Sequence, residues 1–178
     1  MTQPITRREA LALAGAGAAG LVYPRLFAEA GERRRGIERA GLFEWGGRNQ
    51  RGDWEFDAKR PGWPLPIHPL MAKHGVTIFF QGHDHVFVRQ QLDGVVYQTL
   101  PEPADPNYAL YNKDAYRTGD MLPNSGRVRV TVSPEKVRVE YVRSYLAKDA
   151  TAEHPDGEIA CHYEIPASES APKTSVHP

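Results

Sequence analysis

The stretch Val76-Thr77-Ile78-Phe79-Phe80-Gln81-Gly82-His83-Asp84-His85 decides how the rest of the chain is read. Residues 76–80 are apolar or β-branched, and the run is short and bounded. That pattern predicts a buried strand. Gly82 is expected to let the backbone turn where the strand ends. His83 and His85 then fall two apart at the strand's C-terminal edge, where α/β proteins collect ligands. Imidazoles at that spacing in an extended loop can face one pocket, and imidazole is the commonest side-chain metal ligand.

Working outward, residues 86–92 and 95–100 flank Asp93-Gly94, a strong two-residue hairpin turn. Upstream, residues 66–74 predict a short helix, with Ile67, Leu70 and Met71 on one face and Gly75 as its stop. His68 reads as a surface histidine of that helix, and His74 as a favourable contact with the helix dipole. Residues 41–66 have neither helical nor strand periodicity and predict a long ordered loop. Trp45, Trp54 and Trp63 are interleaved there with Arg48, Arg51 and Arg60. Such a set could stack on nucleic acid, but tryptophans packed under the loop are the simpler expectation. Residues 101–125 form a second long loop carrying Tyr108, Tyr111 and Tyr116. Residues 126–133 and 136–144 alternate Val with Arg, Thr, Lys and Glu around Ser133-Pro134-Glu135-Lys136. They predict a second hairpin whose charges form its solvated face. Residues 158–165 predict a last strand, and 166–178 a disordered tail.

Composition narrows the function classes. The 178 residues, 40% apolar and 25% charged, suit one modest soluble domain. A formal net charge of zero supplies no electrostatic footprint for nucleic acid or an anionic membrane. The single cysteine, Cys161, has no partner for an internal disulfide and reads as a half-buried free thiol. Residues 1–30 predict an export signal. Thr6-Arg7-Arg8-Glu9-Ala10-Leu11 is similar to the twin-arginine motif in Arg7 and Arg8. An uncharged run follows from Ala10 to Val22, and Ala28-Glu29-Ala30 suits cleavage. The expected destination is periplasmic or extracellular, with membrane contact only during export.

Gly82-His83-Asp84-His85 is similar to the last metal-binding motif, Gly-His-x-His, of the calcineurin-like metallophosphoesterases. Further segments agree: Phe43-Glu44-Trp45-Gly46-Gly47, Arg60-Pro61-Gly62-Trp63, Pro66-Ile67-His68, Leu92-Asp93-Gly94 and Leu122-Pro123-Asn124-Ser125-Gly126. Together they make the chain resemble the C-terminal part of bacterial exported members. The resemblance implies an α/β fold, the C-terminal half of a four-layer α/β/β/α metallophosphoesterase built mainly of strands and hairpins with long loops. It would occupy residues 31–165 as a partial domain.

It also implies metal-dependent hydrolysis of phosphate mono- or diesters. Two divalent cations (Mn, Fe or Zn) about 3.5–4 Å apart would share an attacking hydroxide. His83 would bind the second metal and His85 the first, and the 101–125 loop would overhang them. The family's other ligand motifs do not follow. No Asp-x-His precedes the strand, and Gly-Asn-His occurs nowhere. Residues 31–81 are too few for the family's first βα units. An internal deletion joining an export signal to a C-terminal half accounts for this, as would a gene-model error or a pseudogene, and predicts a portion inactive alone. A sheet without its covering half should expose apolar surface or self-associate. A non-catalytic binding or self-associating module is therefore the alternative.

Overall fold

A computed structural model describes residues 36–167. The expected export signal, with Arg7 and Arg8, lies outside the described residues, as does most of the expected tail. The architecture is mixed α/β, with two sheets and few helices. Short helices come first: α1 (Phe43–Gly46), α2 (Phe56–Lys59) and α3 (Ile67–Lys73). The strands follow: β1 (Ile78–Gln81), β2 (Phe87–Leu92), β3 (Val95–Thr99), β4 (Asp120–Leu122), β5 (Gly126–Val132), β6 (Lys136–Arg143) and β7 (Ile159–Pro166). No helix among the described residues is long and apolar enough to cross a membrane.

The first sheet runs in the order β1-β3-β2-β4. β1 pairs in parallel with β3, so Gln81 lies opposite Thr99 and both strands end on one side. β2 and β3 form the expected hairpin. Asp93 at φ 47° and Gly94 at φ 81° are both left-handed, as a two-residue type I′ turn requires. The second sheet, β5-β6-β7, is antiparallel throughout.

β3 explains why the sheets stack. All five of its residues are buried, so both of its faces are covered. Val95 and Tyr97 pack on one face with Ala40, Trp45, Met71 and Phe79, against the helical layer. Val96 points the other way, into a cluster with Val139 and Tyr163 of the second sheet. Phe87 stacks on Tyr141 across the same layer, with ring centroids 4.7 Å apart. Gln98 is fully buried there. Its amide donates to the Val88 and Thr99 carbonyls and accepts from the Tyr163 hydroxyl at 3.0 Å, so its burial leaves no polar group unmatched.

Several expectations need correction. His68 is not on the surface. It is buried between Tyr97, whose hydroxyl lies 2.8 Å from Nδ1, and Asp93, whose carboxylate lies 2.9 Å from Nε2. The carboxylate can only accept, so Nε2 carries a proton, and in the neutral ring Nδ1 accepts from Tyr97. Burial, aided by the Asp93 charge, pushes the Tyr97 phenol up to about 12 and keeps it a donor.

Residues 41–66 are more regular than a loop, with two single-turn helices and bridges from Arg48 to Leu42 and Trp54. Of the three tryptophans there, only Trp45 packs beneath, edge-on to Phe79. Trp54 and Trp63 are about half exposed.

The charges of the second hairpin are not uniformly solvated. Glu140 is buried and accepts from Arg129 at 2.7 Å and Arg138 at 3.1 Å. Conversely, Val130 and Val132 on β5 are exposed. Pro166, expected to begin the tail, still pairs with Lys136 in β7. Cys161 is half-buried on β7 opposite Tyr141. Burial, then the charge of Asp120, pushes its thiol up.

Candidate functional site

The histidine loop leaves the C-terminal end of β1 beside the end of β3. Leu100 N–H donates to the Gln81 carbonyl at 2.8 Å, and the Gln81 amide donates to Thr99 Oγ1 at 2.7 Å. The turn is not made as expected. Gly82 is not among the residues with positive φ, whereas His83 (φ 81°) and His85 (φ 54°) are. Left-handed backbone is costly for residues with a Cβ, and persists where the surroundings over-determine it.

Those surroundings come from the 101–125 segment, which folds back onto the loop. Asn112 donates to the Asp84 carbonyl at 2.8 Å, and Asn124 to the His85 carbonyl at 2.7 Å. The Tyr116 hydroxyl donates to the Asp84 carboxylate and lies 3.2 Å from Thr99 Oγ1. Asp84 is buried at 6% exposure, while the His83 and His85 side chains stand out at 84% and 55%. The framework is therefore inside and the imidazoles outside. Behind it, Asp105 organises the segment. Burial pushes its carboxyl up, but the N–H groups of Asn107 and Ala109, with Asn124 and Tyr111, outweigh this and hold it below the usual range.

The structure pairs the two histidines differently. His85 Nδ1 lies 2.7 Å from Glu102 Oε2, whereas His83 Nδ1 lies 3.6 Å from Asp84 Oδ1. A carboxylate on one ring nitrogen and an open second nitrogen is what a ligating histidine needs. His85 thus fits a metal at the level of a single ligand. The complete set does not fit: among the described residues, no group of three or more His, Cys, Asp or Glu side chains gathers to hold a cation. Catalytic zinc takes roughly three protein ligands and structural zinc roughly four, so no hydrolytic step can be derived through a metal held by these residues.

The aspartates that follow glycines, Asp53 and Asp120, have partners of their own. Asp53 bonds Asn49, and Asp120 pairs with Arg89. A cavity of about 250 Å³ also lies apart, between α1 and α2, lined by Phe43, Glu44, Phe56 and Arg60 among others.

Glu102, Asn124 and Tyr116 were missed as partners of the loop. One signal was available for Glu102. A residue just beyond β3 must neighbour the loop beyond β1 once the two strands are parallel. No protein-family model matches the chain, and no curated protein matches it in sequence.

Proposed function

We propose that the chain provides His83 and His85 to a divalent-metal centre of a phosphoester hydrolase of the calcineurin-like metallophosphoesterase type, with the other ligands supplied from outside the described residues. Two stacked sheets with helices on one of them support the C-terminal half of the four-layer fold, and Arg7 and Arg8 support export. One observation carries the metal reading. Two imidazoles stand exposed at the end of a parallel strand, on left-handed backbone that three side chains of a distant segment hold in place. Strain kept in this way is characteristic of sites that must present a group in one orientation.

The test is metal uptake by the purified full chain, followed by turnover of a chromogenic phosphodiester with manganese, iron or zinc. Uptake is expected to fall in His83→Ala and in His85→Ala. Equal uptake by wild type and the double variant would sink the metal reading. Uptake without turnover would remove the hydrolase and leave the ligand role. Export is checked by replacing Arg7 and Arg8 with lysine and following the periplasmic fraction, which is expected to drop.

A specific observation also favours a self-associating module. Phe80 on β1, and Val130 and Val132 on β5, share faces with Ile78 and Val128, which pack between the sheets, yet these three are exposed. Among the described residues β1 pairs only with β3, and its Ile-Phe-Phe-Gln sequence has none of the charges or prolines that protect an edge. Sedimentation velocity is expected to show concentration-dependent association that Phe80→Lys reduces. A single monomeric species across concentrations would count against it.

A further inference from the structure

We propose that Asn124 and Glu102 are positioning residues that hold the neutral His85 ring with its proton on Nδ1 and its lone pair on Nε2, facing outward. This role deepens the metal-ligand reading and takes its purpose from it. The tautomer itself is a property of the protein alone.

Asn124 is fully buried, and its amide joins two backbones. Nδ2 donates to the His85 carbonyl at 2.7 Å, and Oδ1 accepts from the Glu102 N–H at 2.9 Å. The other side of Glu102 is held as well. Its carbonyl accepts from Ser125 Oγ at 3.3 Å and from the Gly126 N–H at 3.2 Å. Arg143, buried on β6, braces the clamp from behind. It donates to the Asn124 carbonyl at 2.6 Å and the Ser125 carbonyl at 3.2 Å. With both backbones fixed, the two side chains meet at 2.7 Å.

A carboxylate only accepts, so Nδ1 must donate and Nε2 is left unprotonated in the neutral ring. An exposed pair of this kind is weak by itself. What distinguishes it here is that its geometry is set by a satisfied buried network and not by two wandering side chains. A clamp that served only to staple the loop would leave the tautomer of His85 indifferent to the Glu102 carboxylate.

The test is the tautomer of His85 in the metal-free full chain, read from long-range nitrogen–proton correlations on ¹⁵N-histidine-labelled protein at about pH 9, where free imidazoles are neutral. The Nδ1–H form is expected to dominate in wild type and in Glu102→Gln, whose side-chain carbonyl still accepts. It is expected to give way to the Nε2–H form in Glu102→Ala. Asn124→Ala is expected to do the same if its far-ultraviolet circular dichroism stays native, and Glu102→Ala carries the test if it does not. A dominant Nε2–H form in wild type, or no change in Glu102→Ala, overturns the proposal.

Zinc affinity by competition forms the second arm, with an expected loss of about 10–100-fold in Glu102→Ala and recovery in Glu102→Gln. Correct tautomers with no zinc binding in wild type would overturn the metal reading and leave the positioning intact.

Discussion

His83 and His68 show how little a histidine's identity says about its burden. His83 is exposed and sits at φ 81°, where a Cβ is unfavourable. Glycine there relieves backbone strain but loosens the unfolded chain. His83→Gly is therefore expected to stabilise the fold by about 0.5–1 kcal/mol while removing a proposed ligand. His83→Ala keeps the Cβ and should stay within about 0.5 kcal/mol of wild type. Urea midpoints compare the two, and a His83→Gly no more stable than His83→Ala would show that the left-handed backbone carries no cost. His68 is the opposite case, with both ring nitrogens engaged in a buried contact between α3 and the β2–β3 hairpin. His68→Ala should cost about 2–3 kcal/mol in the same experiment, from a cavity and a Tyr97 hydroxyl deprived of its acceptor. The sequence placed His83 and His85 correctly at a strand end because a strand's apolar run and its polar terminus are local signals. It misplaced His68 because both of its partners lie far along the chain and only tertiary packing brings them together.

Among the elements, the second hairpin carries the clearest pH response. The Arg129 hydrogen bond, then that of Arg138, holds the Glu140 carboxyl below the usual glutamate range against its burial. Lys136 first, then Arg138, do the same for Glu164 on β7. A carboxyl whose folded value is depressed adds stability above its unfolded value, about 4.3, and loses it as pH falls through the folded one. Urea midpoints should therefore hold from neutral pH down to about 5 and then drop toward pH 3. Glu140→Gln should be less stable at neutral pH and lose part of that acid limb. An acid limb identical to wild type would rule Glu140 out as its source. Alternation of Val with charged residues correctly implied a hairpin, since period two is a property of one strand. Which positions would be covered depended on tertiary contacts and side-chain pairing. Glu140 points away from the first sheet yet is buried with Arg129 and Arg138 bonded to it, whereas Val130 and Val132, on the inward face, are exposed.

For the molecule as a whole, β3 is the strand on which both layers depend, and β1 and β5 are exposed at their margins. Hydrogen exchange should be slowest in β3 and in β6 from Val139 onward. It should be fast in β5 around Val130 and Val132. Uniform protection across the seven strands would contradict that gradient. The mixed α/β class and both hairpins were legible because their signals are short-range: an Asp-Gly turn, bounded apolar runs, alternating valines. The support behind His85 was not, since Glu102 and Asn124 stand at opposite ends of the 101–125 segment, Arg143 lies on β6, and no periodicity links them. The lone Cys161 has a practical consequence. Its sulfur faces the seam between the sheets, opposite Tyr141, and is protonated more firmly than an ordinary thiol. Alkylation at neutral pH should therefore be slow while the seam is shut and quick once it parts. The wild-type chain thus carries a built-in chemical clock for the separation of its two layers, with no engineered label required.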